Sequence, residues 1–164
     1  MLAQLGLSES WLALGDLTKA NAEADAVEET VCTCGDAYLK ALTWDTKARL
    51  ALANGKQHSA EHYVLKGLET VAAGQVPLAA WRIHAAAWQV YRETNPAKAS
   101  VHLSLAQRNI QELADSLKDV ESLRQSFLGA KDVRRILAEG QEATLRDAAQ
   151  PRQRGQRFVA AKPA

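Results

Sequence analysis

The chain of 164 residues has few of the features that mark secreted or membrane proteins. It contains two cysteines, Cys32 and Cys34, which are too few and too close together to form a disulfide framework. The first residues lack the basic start and apolar run of a secretory signal, and no stretch approaches the roughly 18 apolar residues of a membrane span. We therefore expect a cytoplasmic protein with no membrane partner.

The sequence also has little that would build a β-sheet. Aromatic residues make up 5% of the chain, few stretches alternate between apolar and polar residues, and β-branched residues do not cluster as strands require. Hydrophobic residues nevertheless amount to 47%, and alanine dominates them, which favours closely packed helices. We therefore expect an all-α protein.

No excess of one charge sign runs through the chain, because its formal net charge is +1. Such a balance gives no general attraction to nucleic acid, and we expect none as a partner. The charges are unevenly distributed, however. Residues 1–36 carry one lysine against seven acids, while residues 140–164 carry five basic residues against two acids. We interpret the first as a solvated helix face and 140–164 as a mostly disordered basic tail.

The stretch from residue 44 to residue 73 predicts two helices in a hairpin. Trp44, Ala48 and Ala51 recur at helical spacing, and Asn54–Gly55 supplies residues that tolerate positive φ, so that a helix can end there. A second stripe follows, made of Ala60, Val64, Gly67, Leu68 and Val71. Two helices joined by so few residues must lie antiparallel.

Variants of this hairpin occur 40 positions earlier and 39 positions later. Their turns are Leu14-Gly15-Asp16 and Glu93-Thr94-Asn95-Pro96. Small residues recur where the two helices of each hairpin would cross, because a larger side chain there would push the axes apart. These small residues are Ser8, Ala48 and Ala87 in the first helices, and Ala20, Ala60 and Ala99 in the second.

The run Leu14-Gly15-Asp16 followed by Ala20, Ala24 and Val27 resembles a tetratricopeptide repeat. The period near 40 exceeds the usual length of about 34 residues, and is similar to longer repeats in regulatory regions of large bacterial signalling ATPases and transcriptional activators. The resemblance implies an α-solenoid of about three antiparallel helix pairs closed by two short C-terminal capping helices. The expected repeats are residues 1–35, 36–75 and 76–118, with a cap over 119–139, and the expected helices are 2–14, 17–31, 37–53, 57–73, 78–93, 96–117 and two short ones within 120–139.

In such a solenoid, the first helix of each pair lines a concave face that binds other proteins. In the third pair, three aromatic rings and a histidine share one predicted stripe of the first helix, at 78–93. Such a stripe is typical of a peptide-binding hot spot. The candidate partner-binding residues are Asp45, Arg49, Trp81, His84, Trp88, Tyr91 and Arg92. We predict a protein–protein interaction module that binds a peptide or partner domain on this face, as the C-terminal part of a larger bacterial signalling or regulatory protein.

Two alternatives to this interpretation remain, one for the aromatic stripe and one for the first helix. The aromatic stripe would also arise if its rings packed on the terminal helices at 120–139. The first helix begins without a capping residue and would leave Leu2, Leu5 and Leu12 without an upstream neighbour, which is typical of a surface that pairs with a second copy or with upstream repeats.

A remote alternative is a metal-dependent hydrolase. His58-Ser59-Ala60-Glu61-His62 matches the H-x-x-E-H pattern, in which two histidines bind zinc and the glutamate acts as a base. A working site also needs a third ligand and a shielded cleft, and a pattern this short arises easily by chance. The sequence has no catalytic triad order, dinucleotide fingerprint or phosphate loop. We therefore predict a protein that is not an enzyme and needs no metal or cofactor.

Overall fold

A computed structural model describes residues 1–33, 35–74 and 76–139, and within these ranges the chain is helical with short turns and no strand. The helices are α1 (Leu2–Leu14), α2 (Leu17–Thr33), α3 (Ala37–Ala53), α4 (Gln57–Gly74), α5 (Pro77–Tyr91), α6 (Pro96–Ser116) and α7 (Glu121–Gly129), followed by α8 over 131–139. The all-α prediction is confirmed for this part of the chain. The tail predicted over 140–164 lies outside the described residues.

The helix boundaries follow from local turn chemistry. Gly15 and Gly55 have φ values of +82° and +70°, a region that L side chains rarely adopt, and each lies just beyond the end of α1 or α3. The third turn has no glycine, and there the Asn95 side chain accepts a hydrogen bond of 3.0 Å from the backbone nitrogen of Lys98 at the start of α6. Pro77 occupies the first turn of α5, as the sequence predicts. No described helix has the length and apolar character needed to cross a membrane.

Consecutive helices pack as α1 on α2, α3 on α4 and α5 on α6. The small residues predicted at the crossings are all buried: Ser8, Ala20, Ala48, Ala60, Ala87 and Ala99. In the first hairpin the contact is direct, because the Ser8 hydroxyl donates a hydrogen bond of 2.7 Å to the carbonyl oxygen of Ala20. This close approach leaves no room for a larger side chain at the crossing of α1 and α2.

Helix α3 is the most enclosed element, since α1, α2, α4 and α5 all pack against it. Every residue from position 41 to position 48 is buried, including Asp45 and Lys47. The Lys47 ammonium lies 2.8 Å from Glu28 and also contacts Asp25, both on α2. These carboxylates raise the pKa of Lys47 although burial acts to lower it. A charge inside this fold is therefore held by opposite charge from a neighbouring helix.

Helices later in the chain cover part of α1. Leu5 is buried among residues of α2, α3 and α5, and Leu12 is half-buried beside α2 and α3. The large side chains of α1 that remain exposed are Leu2, Leu7 and Leu14.

Candidate functional site

Three cavities lie along α1, α3 and α5, and the central one shares a lining residue with each of the other two. The central cleft is narrow, with a volume of about 20 Å³, and lies between α3, α5 and α8. It shares Arg82 with a cavity of about 150 Å³ beside α1, and Gln89 with a cavity of about 700 Å³ at the turns that follow α3 and α5. We call this series of cavities the first-helix groove. The central cleft is lined by Asp45, Arg49, Trp81, Arg82, Ala85, Ala86, Gln89, Asp132, Arg135 and Ile136.

A cluster of four charged side chains from three helices lies beside the central cleft. The Asp45 carboxylate on α3 accepts a hydrogen bond of 2.9 Å from Arg82 Nε on α5 and lies 3.9 Å from Arg49 Nη1. Glu9 on α1 contacts the guanidinium of Arg82 and accepts a 3.1 Å hydrogen bond from Arg49. The two acids and two arginines compensate one another, so the groove has little net charge here. The cluster also ties α1, α3 and α5 together.

Burial and charge act in opposite directions within this cluster. Burial raises the pKa of the Asp45 carboxyl, and the guanidinium groups of Arg82 and Arg49 oppose that rise. For Arg82, burial acts to lower the pKa, but the carboxylates of Asp45 and Glu9 outweigh burial and raise it. Arg82 therefore stays charged, and its two carboxylate neighbours are what make its partial burial possible.

The predicted aromatic stripe of α5 is divided between two environments. Trp81 is half-buried and lines the central cleft. Trp88 and Tyr91 are 9% and 6% exposed and belong to the same apolar cluster as Val133 and Ile136 of α8. This is the placement expected if the rings pack on the terminal helices, and it leaves Trp88 and Tyr91 almost no surface for a partner.

His84 is turned towards α6. Its Nδ1 atom lies 3.1 Å from Nδ1 of His102, and Tyr91 stacks on His102 with ring centres 5.9 Å apart. Burial, followed by the neighbouring charges of His102 and Arg108, lowers the pKa of His84 to about 4. The ring is therefore neutral at pH 7, and it is engaged within the protein.

Of the seven predicted site residues, the structure thus brings Asp45, Arg49 and Trp81 together at the central cleft. Arg92 is exposed and lines the turn cavity. His84 and Tyr91 face His102 of α6, and Trp88 is buried in the apolar cluster against which Trp81 also packs.

The prediction from helical periodicity did not include Arg82 and Gln89, two residues of α5 that line the groove. They are seven residues apart and so share one face of the helix. Their spacing is visible in the sequence, but it could not show which face of α5 meets α3, because helical periodicity alone does not rank two amphipathic faces.

The H-x-x-E-H segment lies on α4. His58 and His62 are exposed, and Glu61 accepts a hydrogen bond of 3.4 Å from the Gln57 amide. Within the described ranges, no three side chains of the metal-binding types come together as a ligand group. No observation therefore favours hydrolase chemistry at this segment.

No family model, curated protein or solved structure matches the chain. The resemblance to tetratricopeptide repeats thus stays a prediction. The functional argument depends on the geometry of the groove.

Proposed function

We propose that the chain is a helical-repeat interaction module of the tetratricopeptide type, in which three antiparallel helix pairs stack and α1, α3 and α5 line a concave face. The module binds a peptide or a partner domain in the first-helix groove. The pairwise packing of consecutive helices and the buried small residues at the crossings support the stacked arrangement.

The observation that carries this proposal is that neighbouring cavities share lining residues. Arg82 lines both the α1 cavity and the central cleft, and Gln89 lines both the central cleft and the turn cavity. Side chains of α1, α3 and α5 therefore contribute to one series of cavities. A series of cavities supports a peptide segment as the ligand, because a compact small molecule binds in a single enclosed cavity.

The side chains of the groove favour a ligand that is recognised through its main chain. The charged residues of the floor are already paired with one another, so they leave no single excess charge for an ionic ligand. Gln89 is half-buried between two cavities, and its side-chain amide has no hydrogen-bond partner among the described residues. An amide offers donors and an acceptor together, which matches a peptide bond. The exposed Arg92 and Arg135 are likewise paired with acids of the chain, Glu93 and Asp132.

A regulatory role in a bacterial signalling or transcriptional protein is the biological setting that the repeat resemblance supports. In that setting the groove would hold a segment of a partner or of the same larger protein. The proposal assigns the chain no catalytic step.

The proposal is tested by selecting peptides from a random displayed library on the wild-type protein and measuring their Kd by fluorescence anisotropy. We expect Gln89→Ala to weaken binding by about tenfold, because it removes the amide that pairs with the peptide main chain. Gln111→Ala is the matched control, since Gln111 is exposed on α6 and its amide bonds only Asp115. A library that yields no binder, or equal Kd values for Gln89→Ala and wild type, contradicts the proposal.

A second candidate function is self-association through α1. Among the 13 residues of α1 the only charged side chain is Glu9, and Glu9 faces the arginines of the groove. The opposite side of α1 is therefore uncharged and exposes Leu7 and Leu14, whereas Leu2 lines the α1 cavity together with Glu9. Two copies could pair there without repulsion between like charges.

Sedimentation at micromolar concentration distinguishes this candidate. We expect a dimer that Leu7→Glu dissociates, whereas Leu65→Glu on α4 leaves it intact. The two leucines are each 48% exposed, so the control introduces the same charge at the same exposure. A wild-type monomer would exclude self-association and leave the peptide-binding proposal standing.

A further inference from the structure

The contact between His84 on α5 and His102 on α6 has the geometry of a hydrogen bond between two imidazoles. The two Nδ1 atoms are 3.1 Å apart, while the ring centres are 5.3 Å apart. The centres are much farther apart than the nitrogens, so the rings meet edge to edge with the Nδ1 atoms between them. The ring planes differ by 26°, which directs an N–H of one ring close to the lone pair of the other.

Such a contact depends on how many protons the pair carries. A neutral imidazole has one N–H donor and one acceptor nitrogen, so one ring donates from Nδ1 and the other accepts at Nδ1. A first extra proton can be taken up at Nε2 of the donor ring without breaking the bond. A second must add to the accepting Nδ1, and two N–H groups then face each other with no acceptor between them.

The surroundings oppose the positive charge that acid would add. The pKa of His84 is lowered most by burial, next by His102 and then by Arg108 of α6. The pKa of His102 is lowered most by burial and then by Lys98 of α6. Tyr91 of α5 stacks on His102, and the Lys98 ammonium lies over the Tyr91 ring at 3.7 Å.

No acid relieves this arrangement. Within 1–33, 35–74 and 76–139, no carboxylate lies within ion-pair distance of either imidazole, and no charged side chain of α3, α4, α7 or α8, which pack against α5 or α6, contacts the pair. A doubly protonated pair would therefore lie beside Lys98 and Arg108, of which Arg108 is paired with the exposed Glu112.

We propose that His84 and His102 form a pH-sensitive contact between α5 and α6. At neutral pH one hydrogen bond between the two Nδ1 atoms holds the contact together, and in acid the protonation of both rings breaks it. Opening loosens the helix that presents Arg82 and Gln89 to the groove. Because folding lowers the affinity of these rings for protons, the unfolded chain takes up more protons than the folded one below about pH 6.5. The contribution of the pair to stability is therefore complete at neutral pH and is lost as the pH falls towards 4.

The first test is an NMR titration of the imidazole nitrogens in the intact chain. His58 and His62, exposed on α4, give reference signals in the same spectra. We expect His84 to take up its proton near pH 4 and, at pH 7, one ring of the pair to show the Nδ1–H tautomer and the other the Nε2–H tautomer. Identical tautomers in both rings, or titration of His84 at the ordinary histidine pKa of about 6.5, would overturn the proposal.

The second test replaces the titrating ring with an amide. In His102→Asn the side-chain amide lies near the former Nδ1 position, so it can hydrogen-bond His84 but cannot be protonated in this pH range. We expect the Tm of wild type to fall about 5 °C more than that of His102→Asn between pH 7 and pH 4.5. His62→Asn is the control and should follow wild type. Parallel pH profiles for wild type and His102→Asn would show that the pair does not sense pH.

Discussion

Equivalent positions of α3 and α5 hold very different side chains. The 39-residue offset of the repeat aligns Asp45 with His84 and Arg49 with Trp88. On α3 these positions carry charges that join Arg82 of α5 and Glu9 of α1. On α5 they carry rings, one bonded to His102 and the other buried in the cluster that includes Val133 and Ile136. The same helix face is therefore ionic in one repeat and aromatic in the next.

The difference teaches how the neighbouring element decides what a repeat position can hold. Helix α5 packs against α3, and its Arg82 supplies the positive charge that the buried Asp45 carboxylate needs. The cluster around Trp88 includes apolar residues of α8, so burial of an aliphatic or aromatic side chain is favourable there. The ionic side should respond to the loss of a partner, and the aromatic side to the loss of volume.

The largest effect is expected on the aromatic side. Trp88→Ala should lower the free energy of unfolding by about 3–5 kcal/mol, because it leaves a cavity in the main core cluster. Trp81→Ala, at the half-buried cleft wall, should cost about 1–2 kcal/mol. Urea unfolding followed by far-UV circular dichroism measures both. Equal losses for the two variants would show that Trp88 is not the better buried ring.

The next effect tests the ionic side. Asp45→Asn should cost about 1–3 kcal/mol, because Arg82 and Arg49 lose a buried carboxylate and keep only Glu9. Asp132→Asn on the α8 wall of the cleft is the control, since its pair with Arg135 is about half exposed and should change stability by less than about 0.5 kcal/mol. If Asp45→Asn is as stable as wild type, the cluster does not hold α3 and α5 together.

A smaller change is expected at the outer acid of the same cluster. The Glu9 side chain is 34% exposed, so solvent and salt screen its contacts, and Glu9→Gln should cost about 0.5–1 kcal/mol. Raising the salt concentration should reduce this cost, whereas the cost of Trp88→Ala should not shrink. Unfolding of each variant at low and high sodium chloride checks the contrast. A cost of Glu9→Gln that is independent of salt would mean that its hydrogen bonds, and not its charge, stabilise α1.

The smallest effect separates binding from stability. Gln89→Ala should change the free energy of unfolding by less than about 0.5 kcal/mol, because the amide has no partner among the described residues. Thermal unfolding without ligand measures this. A larger loss would show that Gln89 supports the α3–α5 contact instead of serving a ligand.

The elements of the fold were predictable because their causes are local. Gly15 and Gly55 adopt positive φ values and follow the ends of α1 and α3, and Pro77 begins α5. The small residues at positions such as Ser8 and Ala20 marked the crossings in advance. Asp45 and Arg49 lie four residues apart on one face of α3, and they line the central cleft with Trp81 of α5. Arg82 and Gln89 were missed, and Trp88 and Tyr91 lie in the core.

The sequence by itself determined the helices and their turns, since propensity, capping and spacing act within a few residues. Only the tertiary structure decided which side of α5 faces the groove. Each side of that helix meets residues far away in the chain: Glu9 and Asp45 contact one side, and His102 contacts the other. Burial of a charge or a ring is favourable only when the distant partner is present, and periodicity carries no information about that partner.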